Sequence, residues 1–229
     1  MASQYSPKIV TNGLVLALDA ANKKSYSGTG TSWIDLSGNN NVGTLVNSPT
    51  YTNDNNGSIL FDGVNTSINI PHDSNSMDFS LAQTICMWLR PNSLASTNPL
   101  NQAYGGPGTI RHLDTGGFIY YFGTNGGNGT PWTSRNSVFT VTSNEIAFIT
   151  VTRNQVSNQV LWYKNGILQQ SSDAASYETV ANGTNPIILG DGFHGNFDGD
   201  IFYCFVYNEA LSSTEILQNY NATKSRFGL

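Results

Sequence analysis

The chain has 229 residues, a net charge of −5 and 11% charged residues, set against 28 Asn, 24 Ser, 23 Gly and 22 Thr. Amides and hydroxyls therefore solvate its surface, and the absence of any Lys/Arg cluster argues against nucleic acid as a partner. The longest apolar run, GLVLAL at 13–18, closes at Asp19 and is too short to cross a bilayer, while 38% hydrophobic residues, with 11 Tyr, 11 Phe and 4 Trp, are enough to bury the core of one large domain.

Residues 1–12 carry no strand pattern and are expected to form an N-terminal arm, followed by a single domain over 13–229. With only Lys8 ahead of the first apolar run, the start makes a poor secretory signal, so synthesis in a cytoplasm without a leader is expected. Short runs of β-branched and aromatic residues then recur between Asn, Gly, Ser and Pro. They are LVLAL (14–18), SILFDG (58–63), SINIP (67–71), TICMWLRP (84–91), FIYYFG (118–123), EIAFITVTR (145–153), QVLWYKNG (159–166), NPIILGD (185–191) and DIFYCFVYN (200–208). This spacing predicts a β-sandwich of many strands. In TICMWLRP, alternation places Thr84, Cys86 and Trp88 on one face and Ile85, Met87 and Leu89 on the other; both faces are largely apolar, which predicts a central strand. Asn165-Gly166 predicts a two-residue hairpin turn. Ser212 and Glu215 form a capping-box pattern ahead of a short helix over 213–222, expected to bury Ile216, Leu217 and Tyr220 while covering a sheet edge.

Three kinds of chemistry can be weighed on the residues themselves. Asp35, Asn39 and Asn41 in SWIDLSGNNNVGTL (32–45), and Asp191, Asp198 and Asp200 further on, have the oxygen donors that Ca²⁺ takes, but lack fixed ligand spacing. The loop is better explained as a turn in which Asp35 accepts backbone N–H bonds, Trp33 and Leu36 anchor in the core, and Gly38 to Asn41 supply left-handed conformations. No cofactor is expected to be required for folding. Tyr104, Tyr120, Tyr121 and Trp132 lie among Gly/Asn loops and could stack on sugar rings, with one of the adjacent pair Tyr120 and Tyr121 facing the core. Catalysis is not expected: no Glu-x-Asp-x-Glu strand, Gly-x-Ser-x-Gly elbow or His-Glu-x-x-His motif occurs, and the three histidines are scattered. Cys86 and Cys204 are expected to be buried free thiols.

The segments GLVLALDAANKKSY (13–26), SWIDLSGNNNVGTL, SILFDGVNTSINIP (58–71), TICMWLRP, WYKNGILQ (162–169) and the stretch 199–228 together resemble the laminin-G-like, concanavalin A-like jelly-roll family. The resemblance implies an all-β, antiparallel jelly-roll sandwich with one short C-terminal helix. The closing YNATKSRFGL is similar to the version found in bacteriophage structural proteins. That resemblance implies a non-enzymatic virion surface protein, a capsid decoration or tail appendage. Such a protein would be oligomeric on the particle and dock on other virion proteins through Met1 to Ile9 or the loops of 94–137. The alternative is a carbohydrate-binding adhesin module that recognises host surface glycans. The chain departs from many relatives at Phe202, where they place an Asp, and the middle segment 94–137 matches no motif of the family.

Overall fold

The computed structural model describes residues 8–173 and 179–229. Among the described residues, sixteen strands follow in chain order: β1 (Leu14–Asp19), β2 (Ser32–Trp33), β3 (Gly43–Val46), β4 (Thr50–Thr52), β5 (Ser58–Asp62), β6 (Ser67–Ile70), β7 (Ala82–Pro91), β8 (Thr97–Ala103), β9 (Gly108–His112), β10 (Phe118–Gly123), β11 (Trp132–Asn136), β12 (Ala147–Asn154), β13 (Gln159–Lys164), β14 (Ile167–Asp173), β15 (Ile187–Leu189) and β16 (Asp198–Tyr207). They form two antiparallel sheets. The first runs β14-β13-β12-β7-β16-β5-β4, and the second β11-β10-β9-β8-β15-β6-β3-β2. Strand β1 joins the first sheet on β16, whose residues 203–207 pair with β1 while 198–201 pair with β5.

Strand β7 is central, between β12 and β16. Its alternation divides as the sequence predicts. Ile85, Met87 and Leu89 enter the core between the sheets, and Cys86 and Trp88 enter a second apolar cluster on the outer face of the first sheet. The same division separates the thiols. The register sets Cys86 opposite Phe205 and Cys204 opposite Met87, so the two side chains leave opposite faces of the sheet and remain free and buried. Burial pushes the Cys86 thiol up to about 12 and raises that of Cys204 further, which keeps both protonated. The hairpin β13–β14 turns at Asn165 (φ 52°) and Gly166 (φ 78°), two left-handed residues that match the strand twist.

The helix α1 (Ser213–Thr223) starts at a complete capping box: Ser212 Oγ accepts from Glu215 N at 3.4 Å, and Ser212 N donates to Glu215 Oε2 at 2.8 Å. It covers a face rather than an edge. Ile216 is buried and Tyr220 packs partly buried against Trp88, whereas Leu217 is 43% exposed and not part of the core, contrary to expectation. The helix instead buries two polar residues, Asn219 and Thr223, the first of them two positions beyond Leu217. Asn219 accepts from Val10 N at 2.8 Å and donates to the Tyr207 hydroxyl at 3.0 Å, and that hydroxyl donates to Val10 O at 3.1 Å. Residues 8–12 are thereby tied to the helix, while residues 1–7 of the expected docking arm lie outside the described residues. The closing segment seals the second cluster: Phe227 stacks on Trp88 with ring centroids 4.2 Å apart. Arg226 lies over Tyr203, donates to the carbonyls of Asn55 and Gly57, and pairs with Asp19 at 3.1 Å.

Candidate functional site

Strand β10 sorts the aromatic residues of FIYYFG by parity. Phe118, Tyr120 and Phe122 point into the core between the sheets. Tyr120 is fully buried, with its hydroxyl 2.8 Å from Gln83 Oε1 and 2.9 Å from Pro107 O. It is a core residue and leaves the set of sugar-stacking candidates. Tyr121 faces the other way, out of the second sheet, where Arg111 Nη1 donates to its hydroxyl at 3.4 Å.

On that outer face a cleft of about 520 Å³ opens, lined by Tyr104, Tyr121, Trp132, Phe193, His194, Asn101, Asn128, Ile188, Asp191 and Gly192. Its volume is in the range of small-ligand sites. Strands β8 and β15 supply the floor through Asn101 and Ile188, which pair directly. Tyr104, just beyond β8, is the hub of the rings. Its centroid lies 4.9 Å from that of Tyr121, 5.8 Å from His194, 6.2 Å from Phe193 and 6.4 Å from Trp132, and none of the four is stacked flat on it. Tyr104 itself is buried, whereas Trp132 is 47% and Phe193 86% exposed, so two large aromatic faces are presented to solvent at the rim. Three of the four residues expected to stack on sugar thus meet at one place.

Asn98, fully buried, holds this arrangement together. Its Oδ1 accepts from the Tyr104 hydroxyl at 3.1 Å and from His194 N at 2.9 Å, and its Nδ2 donates to Ile110 O at 3.1 Å. It therefore links β8, β9 and the 190–196 loop. Gly192 is required beneath that loop, since a Cβ there would lie 2.6 Å from Asn98 Oδ1. Asn128 caps the other side by accepting from Tyr104 N at 3.3 Å. Burial raises the Tyr104 hydroxyl to about 12, so it stays a proton donor to Asn98. Burial, with the positive charge of Arg111, lowers the His194 imidazole below its ordinary value and favours its neutral form. Phe193, His194, Asn101 and Asn128 were not among the expected site residues. The one local signal for the first two is an aromatic pair bracketed by glycine in GDGFHGN (190–196).

The acidic residues are distributed differently. Asp35 is buried, and both its oxygens are taken by the chain: Oδ1 accepts from Ala17 N and Ser37 N, each at 2.8 Å, and Oδ2 from Ser37 Oγ at 2.6 Å and Asn41 N at 3.1 Å. Asn39 and Asn41 turn their amide nitrogens, not their oxygens, inward, donating to the carbonyl of Val15. Trp33 is fully buried beside this turn, and Gly38 and Asn40 adopt positive φ, but Leu36 is 39% exposed and does not anchor it. Asp200 is fully buried and engaged by Ser58 at 2.6 Å and by Arg90 at 2.8 Å. Asp198 accepts from Asn92 at 3.2 Å, and Asp191 lines the aromatic cleft. Among the described residues, no three His, Cys, Asp or Glu side chains are grouped to hold a metal ion.

Comparison with solved structures returns the same sandwich. The binding domain of Paraclostridial Mosquitocidal Protein 1 superposes with a TM-score of 0.74 at 22% identity, over 93% of this chain and 52% of that one. The binding domain of botulinum neurotoxin DC, solved in complex with rat synaptotagmin II, gives 0.73 at 14% identity, over 93% and 52%. Domain 4 of AbnA, an extracellular arabinanase from Geobacillus stearothermophilus solved with arabinotriose, gives 0.70 at 16% identity, over 90% of this chain and 98% of that domain. The chain spans about half the length of the toxin binding domains. A search of curated proteins finds no match. The family described as the concanavalin A-like lectin/glucanases superfamily matches residues 61–217. That span runs from β5 to α1 and takes in every lining residue of the cleft, so the two packed antiparallel sheets and the sequence agree: the chain belongs to the concanavalin A-like lectin/glucanases superfamily, in its laminin-G-like branch.

Proposed function

We propose that the protein is a non-catalytic carbohydrate-binding module whose ligand lies in the cleft on the outer face of the second sheet. The observation that carries this reading is the convergence of Tyr104, Tyr121, Trp132, Phe193 and His194 on one open cleft edged by the amides of Asn101 and Asn128. Aromatic rings pack on the C–H faces of a sugar, and amides both donate to and accept from its hydroxyls. Asp191 is the single carboxylate among the lining residues. Glycosidases of either stereochemistry ordinarily require two, about 5 to 9.5 Å apart. The cleft is therefore suited to hold a glycan without cleaving it. Support comes from Domain 4 of AbnA, which shares the fold and was solved with arabinotriose. A virion surface is the setting that the resemblance of the closing segment suggests. The fold adds nothing to that setting, because Arg226 and Phe227 of that segment are engaged within the chain.

The test is a glycan array followed by titration calorimetry, with Trp132→Ala and Tyr121→Ala beside the wild type. Each variant is expected to weaken binding at least about tenfold, as for an aromatic hot spot, with an unchanged melting temperature. A wild type that binds no glycan, or one whose affinity survives both substitutions, overturns the reading. Capture of a protein receptor through Trp132 would move the function to protein docking.

A further inference from the structure

We propose that Asp191 makes the cleft selective for uncharged saccharides, rejecting chains that place a carboxylate or sulfate in it; this rests on the glycan-binding reading above. Asp191 is the only Asp, Glu, Lys or Arg among the residues lining the cleft. Its position is held from both sides. Gly190 N donates to Pro99 O at 3.1 Å, Gly190 O accepts from Phe197 N at 2.9 Å, and Gly195 N closes the following turn on Gly192 O at 3.0 Å. Gly190 itself has φ +82°, and a Cβ there would lie 2.1 Å from the Phe61 ring, so this backbone cannot easily be rebuilt. The carboxylate is consequently carried on a braced loop.

No described cation neutralises it. Among the described residues the ion pairs are Arg90 with Asp54 and Asp200, Lys164 with Glu145, and Arg226 with Asp19. Arg111, whose charge acts on His194, is not a lining residue. Its Nε donates to Ser96 Oγ at 2.9 Å and its Nη1 to the Tyr121 hydroxyl at 3.4 Å, and it makes no ion pair with Asp191. His194 adds no compensating charge at neutral pH, because burial and Arg111 hold its imidazole toward the neutral form. A saccharide hydroxyl can donate to the Asp191 carboxylate, a charge-assisted bond. An anionic substituent has no proton to give and meets a like charge beside apolar ring faces.

The experiment uses neutral hexose oligosaccharides, each paired on one array with the same backbone carrying a terminal sialic acid or a 6-sulfate. Affinities are then measured by calorimetry. The wild type is expected to prefer the neutral member by about tenfold or more, the scale of one unfavourable charge pair at a partly solvated site. Asp191→Asn, which keeps the shape, should reduce that ratio to about twofold or less. Raising the salt concentration to about 1 M, where screening reaches only about 3 Å, should narrow the wild-type ratio in the same direction. Equal binding of both members by the wild type, or a ratio unaffected by Asp191→Asn in a variant with wild-type melting temperature, overturns this inference and leaves the glycan reading standing. Binding of neither member, across the array, overturns the glycan reading and this inference with it.

Discussion

Replacing Asp35 with Ala separates a structural turn from a metal site. The carboxylate accepts four hydrogen bonds at 2.6 to 3.1 Å, from Ala17 N, Ser37 N, Ser37 Oγ and Asn41 N, and ties β1 to the loop after β2. Hydrogen bonds to a charged group contribute about 1.5–3 kcal/mol each when lost, so four set a ceiling of roughly 6–12 kcal/mol. Ser37 is part-exposed and can turn to water, whereas Ala17 N and Asn41 N are buried and would be orphaned. Two buried orphans at about 1–3 kcal/mol each place the loss near 4 kcal/mol. For a domain of this size that is a fall in Tm of about 8–16 °C. Asp35→Asn keeps an oxygen for Ala17 and Ser37 N and loses the Oδ2 bonds, so about half the effect is expected. Differential scanning calorimetry of the three proteins, each with EDTA and with Ca²⁺, is the assay. Melts of the wild type should nearly coincide in the two buffers. An Asp35→Ala protein within about 3 °C of the wild type would refute the turn energetics. A wild type that loses more than about 10 °C on chelation would turn the loop acids back into ligands.

Three further outcomes follow from neighbouring features. Tyr120→Ala, in the core, should cost about 3–5 kcal/mol in urea denaturation, whereas Tyr121→Ala, one residue on but facing the cleft, should cost under about 1 kcal/mol and act on ligand binding instead. His112 is fully buried and burial lowers its imidazole to about 4. The unfolded chain therefore binds the extra proton between about 6.5 and 4, so the contribution of His112 is complete above the ordinary value and is lost as pH falls through that window, up to about 3 kcal/mol. His112→Leu should flatten the decline of Tm across it, and an unchanged slope would show that the imidazole is not kept neutral. Phe227→Ala, which removes the ring stacked on Trp88, should cost about 2 kcal/mol by chemical denaturation and quench or shift Trp88 fluorescence.

How far the fold was legible depended on whether the signal was local. Strand parity in TICMWLRP, the Asn165-Gly166 turn and the Ser212/Glu215 box each specify their own geometry, and each is found in place. Leu36 and Leu217 failed because hydrophobicity alone does not say which side of a turn or helix has a neighbour. Leu36 is followed by a loop that Asp35, not an apolar anchor, pins down. Leu217 stays exposed on the helix flank, while polar Asn219 is buried because Val10 and Tyr207 satisfy it. At the cleft, Tyr104, Tyr121 and Trp132 were visible as aromatics among glycines. Tyr120 could be separated from Tyr121 only by knowing which parity of β10 faces the core. Phe193, His194 and Asp191 reach the cleft from about 90 residues further along than Tyr104, across the β8–β15 pairing, and no pattern within the 190–196 loop encodes that pairing.

The two outer faces of the sandwich differ in what covers them, and the difference bears on the glycan-binding proposal. The outer face of the first sheet carries Trp88, Phe148, Phe202, Phe205 and Tyr207, too much apolar area to leave in water. The chain covers it with α1, residues 8–12 and Phe227. Phe202 of that face meets Phe227 edge-on at 5.1 Å and lies under Arg90 and Arg226. The outer face of the second sheet has no such cover among the described residues. It carries the partly exposed Asn69, Arg111 and Tyr121 together with the buried Asn101 and Thr109, which bond each other, and Ile188 pairs with Asn69 and Asn101. Where apolar rings do remain there, Trp132 and Phe193, they stand at the rim of the cleft, although burying them would be favourable by about 1.5–3 kcal/mol for a large side chain. Rings braced in an unburied position by Tyr104 and the Asn98 hydrogen bonds are what a stacking site requires before its ligand arrives. On the glycan-binding proposal, Trp132 and Phe193 are the rings that meet the ligand first.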